Sequence, residues 1–117
     1  MVLLKTIKYL NDRNFEREVK ATDSLVLVAF VVDWNSTGHL FDIIIEKLPK
    51  EIKQQLTIYK VDCSKNRQII NTYKIGEAPT ILVFKNGTLI NRFSGFISKN
   101  ELVLKLDDHI KTSLQIE

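Results

Sequence analysis

Leu-Val-Leu-Val-Ala-Phe-Val-Val fills residues 25–32 and is the longest uninterrupted apolar run in the chain. Four of these eight residues are valines, which are β-branched and pack well on a pleated surface. A run that is apolar at every position, rather than at alternate ones, is typical of a strand covered on both faces. It therefore predicts the central strand of a sheet that lies between two layers of helices.

Periodicity and turn residues on either side of this strand predict the order β-α-β-α-β-α-β-β-α in one α/β domain. The other predicted strands lie at 6–10, 56–63, 80–85 and 88–93. Two of the predicted helices run from Ser36 to about Ile52 and over 66–73. Before them comes a helix that Asn11 or Asp12 caps and that contains Phe15 and Val19, and the last helix is capped by Ser98 and contains Leu102, Leu104, Leu106 and Ile110. Asn86-Gly87 supplies both positive-φ positions of a type I′ hairpin turn. Helical crossovers require parallel pairing and the hairpin requires antiparallel pairing. We therefore predict a mixed five-stranded sheet flanked by four helices.

Length and composition exclude several classes of function. The 117 residues suit a single domain, predicted at residues 1–112, with a frayed tail at 113–117. One cysteine, Cys63, and two histidines cannot form an intramolecular disulfide or a Cys/His zinc site. We expect no metal and no cofactor, and a thiol at Cys63 that is half-buried and unreactive.

Charge and hydropathy point away from nucleic acids and membranes. The net charge of +3 comes from basic residues that are scattered rather than grouped in a stripe. No apolar run approaches the roughly 20 residues that a membrane-spanning helix needs. We expect a cytoplasmic protein that binds neither nucleic acid nor membrane.

Five short motifs resemble the thioredoxin family, and the resemblance extends from about Ile7 to Ile110. They are the stretch from Leu25 to Trp34, Lys60-Val61-Asp62, the segment Ile75-Gly76-Glu77-Ala78-Pro79-Thr80, Phe84-Lys85-Asn86-Gly87, and Ser94-Gly95 ahead of Ser98-Lys99. The resemblance implies the thioredoxin fold. It also implies a redox site of two cysteines at the beginning of the second helix, where a thiolate attacks a disulfide and a second thiol resolves the product.

The residues that correspond to that redox motif are Trp34-Asn35-Ser36-Thr37-Gly38-His39. Asn35 stands at the position of the attacking cysteine and Gly38 at that of the resolving one, and neither side chain can form a covalent sulfur adduct. The family also carries a buried carboxylate on the second strand, where this chain has Ala29, so Lys60 lacks that partner. We therefore predict a protein without oxidoreductase activity. Cysteines restored at positions 35 and 38 should give only weak activity.

The resemblance also implies a surface that binds an extended peptide. In the family a cis proline, here Pro79, presents the backbone of the preceding residue to the peptide. The residues that would form this surface, which we call the Pro79 groove, are Trp34, Ile75, Ala78, Pro79, Gly95 and Phe96. We predict a binding module or adaptor that recognises a protein or peptide segment, although these residues could equally serve as packing residues.

Two alternatives remain open at this point. One is an enzyme, or a glutathione- or anion-binding protein, that uses the helix N-terminus at Ser36, Thr37 and His39; these residues could equally be helix caps alone. The other is a homodimer formed through an apolar patch of Phe41, Ile44, Ile45 and Phe96.

Overall fold

The computed structural model describes residues 7–32 and 37–115, and the side chains of these residues except at 37 and 113–115. The elements in chain order are β1 (Lys8–Leu10), α1 (Phe15–Lys20), β2 (Leu25–Val31), α2 (Thr37–Glu46), α3 (Lys50–Lys53), β3 (Leu56–Asp62), α4 (Arg67–Tyr73), β4 (Thr80–Lys85), β5 (Thr88–Ser94) and α5 (Lys99–Gln115).

The strands form one five-stranded sheet in the order β1-β3-β2-β4-β5. β3 pairs in parallel with β1 and β2, whereas β4 is antiparallel to both β2 and β5. The Asn86-Gly87 turn joins β4 to β5 with φ values of 53° and 80°, as a type I′ turn requires. The mixed five-stranded sheet of the thioredoxin fold is therefore confirmed.

Side chains of β2 alternate between two separate apolar cores. Leu25, Leu27, Ala29 and Val31 face one core, which α2, α3 and α5 cover, and Val26, Val28 and Phe30 face the other, which α1 and α4 cover. All seven residues of β2 are buried. The uninterrupted apolar run is explained, since each face of this strand lies against a layer of helices.

The predicted helix from Ser36 to Ile52 is wrong in one respect, because the chain breaks it into α2 and α3 and gives five helices instead of four. Pro49 is the cause: it has extended backbone angles, φ −56° and ψ 142°, and precedes the first residue of α3. Proline has no N–H to continue a helix, and its ring restricts the residue before it. Leu48 is nevertheless buried, as its apolar spacing predicted.

Two predicted caps have different outcomes. Asp12 does not cap the neighbouring helix α1; its carboxylate accepts N–H groups of Gln68 (3.2 Å) and Ile69 (2.9 Å) at the beginning of α4. Ser98 does cap α5, since its Oγ accepts the N–H of Glu101 at 3.1 Å. Asp12 can reach α4 because the parallel crossovers place both segments at one edge of the sheet.

The last helix differs from its prediction at two places. Leu102, Leu106 and Ile110 are buried, but Leu104 is 69% exposed and faces away from the sheet. Two residues after Leu102, a helical side chain has turned by about 200°, so both cannot face the core. The helix also continues to Gln115, beyond Ser113, where we expected the chain to fray.

Candidate functional site

The structure places most of the Pro79 groove at the ends of β4 and β5. Pro79 immediately precedes β4, and its carbonyl accepts the N–H of Gly95 at 2.8 Å. Gly95 follows β5 and has a φ of 82°, a left-handed conformation that costs glycine little. The peptide bond between Ala78 and Pro79 is cis. The hydrogen bond fixes the segment after β5 beside the one before β4, so residues far apart in sequence share one surface.

Within this surface the side chains differ in exposure. Phe96 is 71% exposed, which is the largest exposure among the big apolar side chains in the described part of the chain. Ile75 and Ala78 are half-buried, and Pro79 is buried. Ile75 packs against the core that α1 and α4 cover. Among the described residues of the Pro79 groove, Phe96 is therefore the exposed apolar side chain, while Ile75 and Pro79 serve packing as well.

The backbone of Ala78 is available to a ligand. Within the described residues, neither its N–H nor its carbonyl has a hydrogen-bond partner. The residues on either side of Ala78-Pro79 are joined by a hydrogen bond, since Thr80 Oγ1 donates to the carbonyl of Glu77 at 2.7 Å. A half-buried backbone group without a partner binds another backbone readily, because an unmade hydrogen bond is costly.

Only part of the degenerate redox motif can be located. Trp34, Asn35 and Ser36 lie outside the described residues, as does the side chain of Thr37. α2 begins at Thr37 and has no acidic residue in its first turn. His39 is exposed, and Gly38 is buried. The beginning of this helix therefore carries an exposed imidazole, but the roles predicted for Ser36 and the Thr37 hydroxyl stay predictions.

Lys60 has a partner that the sequence did not reveal. Its Nζ donates to both carboxylate oxygens of Asp42, at 2.9 and 3.1 Å, and lies 4.9 Å from the centroid of the Tyr9 ring. The Lys60 side chain is only 8% exposed, against 33% for Asp42. We call Tyr9, Asp42 and Lys60 the Lys60 cluster. Lys60 lacks the family's carboxylate at Ala29, as the sequence indicated, but Asp42 of α2 pairs with it instead.

One sequence signal could have identified Asp42. It is the only charged residue in the apolar stretch from Leu40 to Ile45, and it lies four residues after Gly38, on the same side of the helix. A lone carboxylate beside a buried helix face needs a cationic partner. The sequence does not say which cation that is, because Lys60 is eighteen residues away.

Cys63 is half-buried, as predicted, and its lack of reactivity stays a prediction. It lies just after β3, its N–H donates to the carbonyl of Val31 at 2.9 Å, and its side chain is half-buried. Burial, with a smaller contribution from the negative charge of Asp62, raises the pKa of the thiol to about 11. A thiol with so high a pKa is almost entirely protonated at neutral pH, and the protonated form is a poor nucleophile.

The apolar patch predicted for self-association is largely absent from the surface. Phe41 is 3% exposed and Ile45 is 7% exposed, and Ile44 packs against the same core. These three residues hold α2 on the sheet, so only Phe96 of the four remains exposed. The apolar face of α2 is explained by its packing on β2 and on the core that this helix shares with α3 and α5.

Comparisons with known proteins agree with the fold. The family model for thioredoxin matches residues 6–108. A thioredoxin of Chlorobaculum thiosulfatiphilum is 31% identical over 99 residues, which cover 85% of this chain and 92% of that protein. A thioredoxin of Rickettsia bellii (strain RML369-C) is 32% identical over 99 residues, covering 85% and 94% respectively.

A solved structure gives the same result for the fold alone. A point mutant of thioredoxin from Halobacterium salinarum NRC-1 superposes with a TM-score of 0.73 at 17% sequence identity, covering 87% of this chain and 88% of that one. Among the described residues, no helix is both long enough and apolar enough to cross a membrane. Since the family model spans most of the chain and the sheet has the order and directions described above, this protein is a member of the thioredoxin family.

Proposed function

We propose that this chain is a redox-inactive member of its family that binds an extended peptide segment of a partner protein at the Pro79 groove. The observation that carries the proposal is the combination of a single, half-buried cysteine with an exposed Phe96 and with a backbone at Ala78 that has no hydrogen-bond partner among the described residues. Intramolecular disulfide exchange needs two thiols, whereas peptide binding needs only a backbone edge and an apolar contact.

The geometry suits recognition of an extended strand rather than a helix. A peptide that pairs with the N–H and carbonyl of Ala78 would run past Gly95 and place alternate side chains toward Phe96. Phe96 would supply the large, rigid apolar contact that dominates the binding energy of such surfaces. We therefore expect the partner segment to be extended and to carry an apolar side chain that contacts Phe96.

The catalytic half of the proposal is tested by reduction of insulin disulfides with dithiothreitol or with a thioredoxin reductase. We expect no turnover above the uncatalysed rate, because Cys63 has no second thiol and its pKa of about 11 keeps it protonated. Multiple turnovers by purified protein would contradict the proposal.

The binding half is tested with a library of displayed peptides selected on the purified protein. Selected peptides should bind Phe96→Ala at least tenfold more weakly, the loss that truncating one central apolar contact produces. Leu104→Ala is the matched control, because Leu104 is equally exposed, at 69% against 71%, but lies on the outer face of α5. Peptides that bind both variants and the native protein equally would show that the Pro79 groove is not the binding surface.

A cytoplasmic location is part of the same proposal. A lone free thiol such as Cys63 suits a reducing compartment, where unpaired cysteines persist. Fractionation of cells that express the untagged protein would test it, and recovery of the protein from an oxidising compartment would contradict it.

The alternative of a glutathione- or anion-binding site at the beginning of α2 has one observation in its favour. The first turn contains no acidic residue and carries an exposed His39, and both features favour negative charge at a helix N-terminus. Calorimetric titration with glutathione distinguishes the two functions, since the peptide-binding proposal expects no measurable heat.

A further inference from the structure

Position 38 lies against a polar cluster although it carries no side chain itself. A Cβ atom built on Gly38 would lie 3.5 Å from Val31 Cγ2 and 3.8 Å from the hydroxyl oxygen of Tyr9, both ordinary contact distances. A Cβ atom therefore fits at position 38, in contact with the end of β2 and with the hydroxyl of Tyr9.

The three members of the Lys60 cluster come from three different elements and meet on one face of the sheet. Tyr9 on β1 and Ala29 on β2 are both in register with Lys60 on β3. Partners in register on neighbouring strands project from the same face, which for Ala29 is the face that α2 covers. Asp42 reaches Lys60 from that helix.

The surroundings of position 38 are therefore charge-balanced. Lys60 is buried and its charge is matched by Asp42, which stands one helical turn beyond Gly38. A second carboxylate, Asp62, lies at the end of β3. It accepts hydrogen bonds from the N–H and the hydroxyl of Ser64 and pairs with Lys65. Among the described residues, Asp42 is the carboxylate that lies one helical turn from this position and pairs with Lys60.

We propose that Asp42 is the carboxylate of this site, supplied by α2 at the place where the family uses a residue of β2, and that it sets the ionisation of any group at position 38. In this proposal a carboxylate is still present, but it is Asp42 on α2 instead of a residue at position 29 on β2. The proposal does not depend on peptide binding at the Pro79 groove. It also changes the expectation for restored cysteines, because a thiol at 38 would have a carboxylate one helical turn away.

A thiol introduced at position 38 is the probe. In a Cys63→Ser background, Gly38→Cys places a single thiol beside Tyr9 and the ion pair, and the loss of its proton to solvent is followed by the thiolate absorbance at 240 nm against the same background without Cys at 38. This readout needs no reagent to reach a buried sulfur. It depends on local charge, which an effect on packing alone would leave unchanged.

Two variants should move the titration in opposite directions. Asp42→Asn leaves Lys60 as an unbalanced cation, so the midpoint should fall by about one pH unit, a tenfold rise in the ratio of thiolate to thiol. Lys60→Met leaves Asp42 as an unbalanced anion, so the midpoint should rise by about the same amount. Glu16→Gln is the control, because it removes one partner of an exposed ion pair on α1 that is remote from the site, Lys20 with Glu16 at 2.7 Å.

Unchanged midpoints in both variants, or shifts in the same direction, would overturn the proposal. Lys60→Met is expected to fold, since it replaces a nearly buried cation by an apolar side chain of similar length, so its titration decides the question even if Asp42→Asn does not fold. Folding of each variant is checked by circular dichroism before titration. No partner peptide enters the experiment, so its outcome is separate from that of the binding proposal.

Discussion

The ion pair of the Lys60 cluster should contribute to stability in an asymmetric way. Asp42→Asn keeps the volume of the side chain but leaves the Lys60 ammonium, whose side chain is 8% exposed, without its counter-charge. Lys60→Met leaves the carboxylate of Asp42 instead, which is 33% exposed and can turn toward water. Removing the carboxylate should therefore cost more than removing the lysine.

The magnitude follows from the burial of the two partners. Breaking a fully buried pair costs about 3–5 kcal/mol, whereas an exposed pair contributes about 0–1 kcal/mol. Since one partner of this pair is nearly buried and the other partly exposed, we expect Asp42→Asn to lower the free energy of unfolding by about 2 kcal/mol and Lys60→Met by about 1 kcal/mol. The double variant should be more stable than the sum of the two changes predicts, because it leaves no unpaired charge.

Urea denaturation followed by circular dichroism measures these differences. For a chain of this size, a loss of about 2 kcal/mol shifts the midpoint by about 1 M urea. Glu16→Gln, in an exposed pair, is the control and should leave the midpoint unchanged. Equal effects of Asp42→Asn and Lys60→Met, or effects that add in the double variant, would refute the reasoning that a buried lysine depends on this carboxylate.

Three further predictions concern the turn, the thiol and the last helix. Gly87→Ala should lower the free energy of unfolding by about 1–2 kcal/mol, because Gly87 has a φ of 80° and a Cβ there would lie 2.7 Å from Lys20 Cγ. Adding Lys20→Ala should recover only the loss that comes from the contact with Lys20. Complete recovery would contradict a cost from the positive φ. Iodoacetamide should modify Cys63 in the native protein at pH 8 about 100-fold more slowly than in urea, since burial raises the pKa of the thiol from an ordinary 9.0 to about 11; equal modification rates would count against a buried thiol. Because the pKa is higher in the folded protein, unfolding should also become easier as the pH rises from about 9 to about 11. Leu102→Ala should lower the free energy of unfolding, measured by heat or urea, by about 3 kcal/mol, whereas Leu104→Ala should leave it almost unchanged, because Leu102 is 0% and Leu104 69% exposed. Similar losses in the two variants would mean that α5 presents a different face to the sheet.

The two proposals, on peptide binding and on charge at position 38, concern separate parts of the fold. The Pro79 groove depends on the segments before β4 and after β5, which the hydrogen bond from Gly95 to Pro79 holds together. The Lys60 cluster depends on β1, α2 and β3. A variant in one should leave the other unchanged, which allows the two proposals to be tested in the same protein.

The sequence motifs identified the residues of the candidate site, but they did not predict how far each residue is buried. The exposed position of Phe96 and the half-buried position of Ala78 are what a binding surface requires, and the sequence identified both residues. It did not predict that the apolar face of α2, with Phe41 and Ile45, would be consumed by packing. Periodicity reports that a face is apolar, but how much of that face is covered depends on the neighbouring helix.

Features governed by neighbours in the chain followed from the sequence alone: the central strand from its unbroken apolar run, the hairpin turn from Asn86-Gly87, and the beginning of α5 from Ser98. Each depends on backbone preferences or hydrogen bonds within a few residues. Tertiary structure decided that Asp12 caps α4 rather than α1, and that Asp42 pairs with Lys60. Such pairs join residues separated by many positions, and their energy depends on distance and burial, which exist only once the sheet and its helices have packed together.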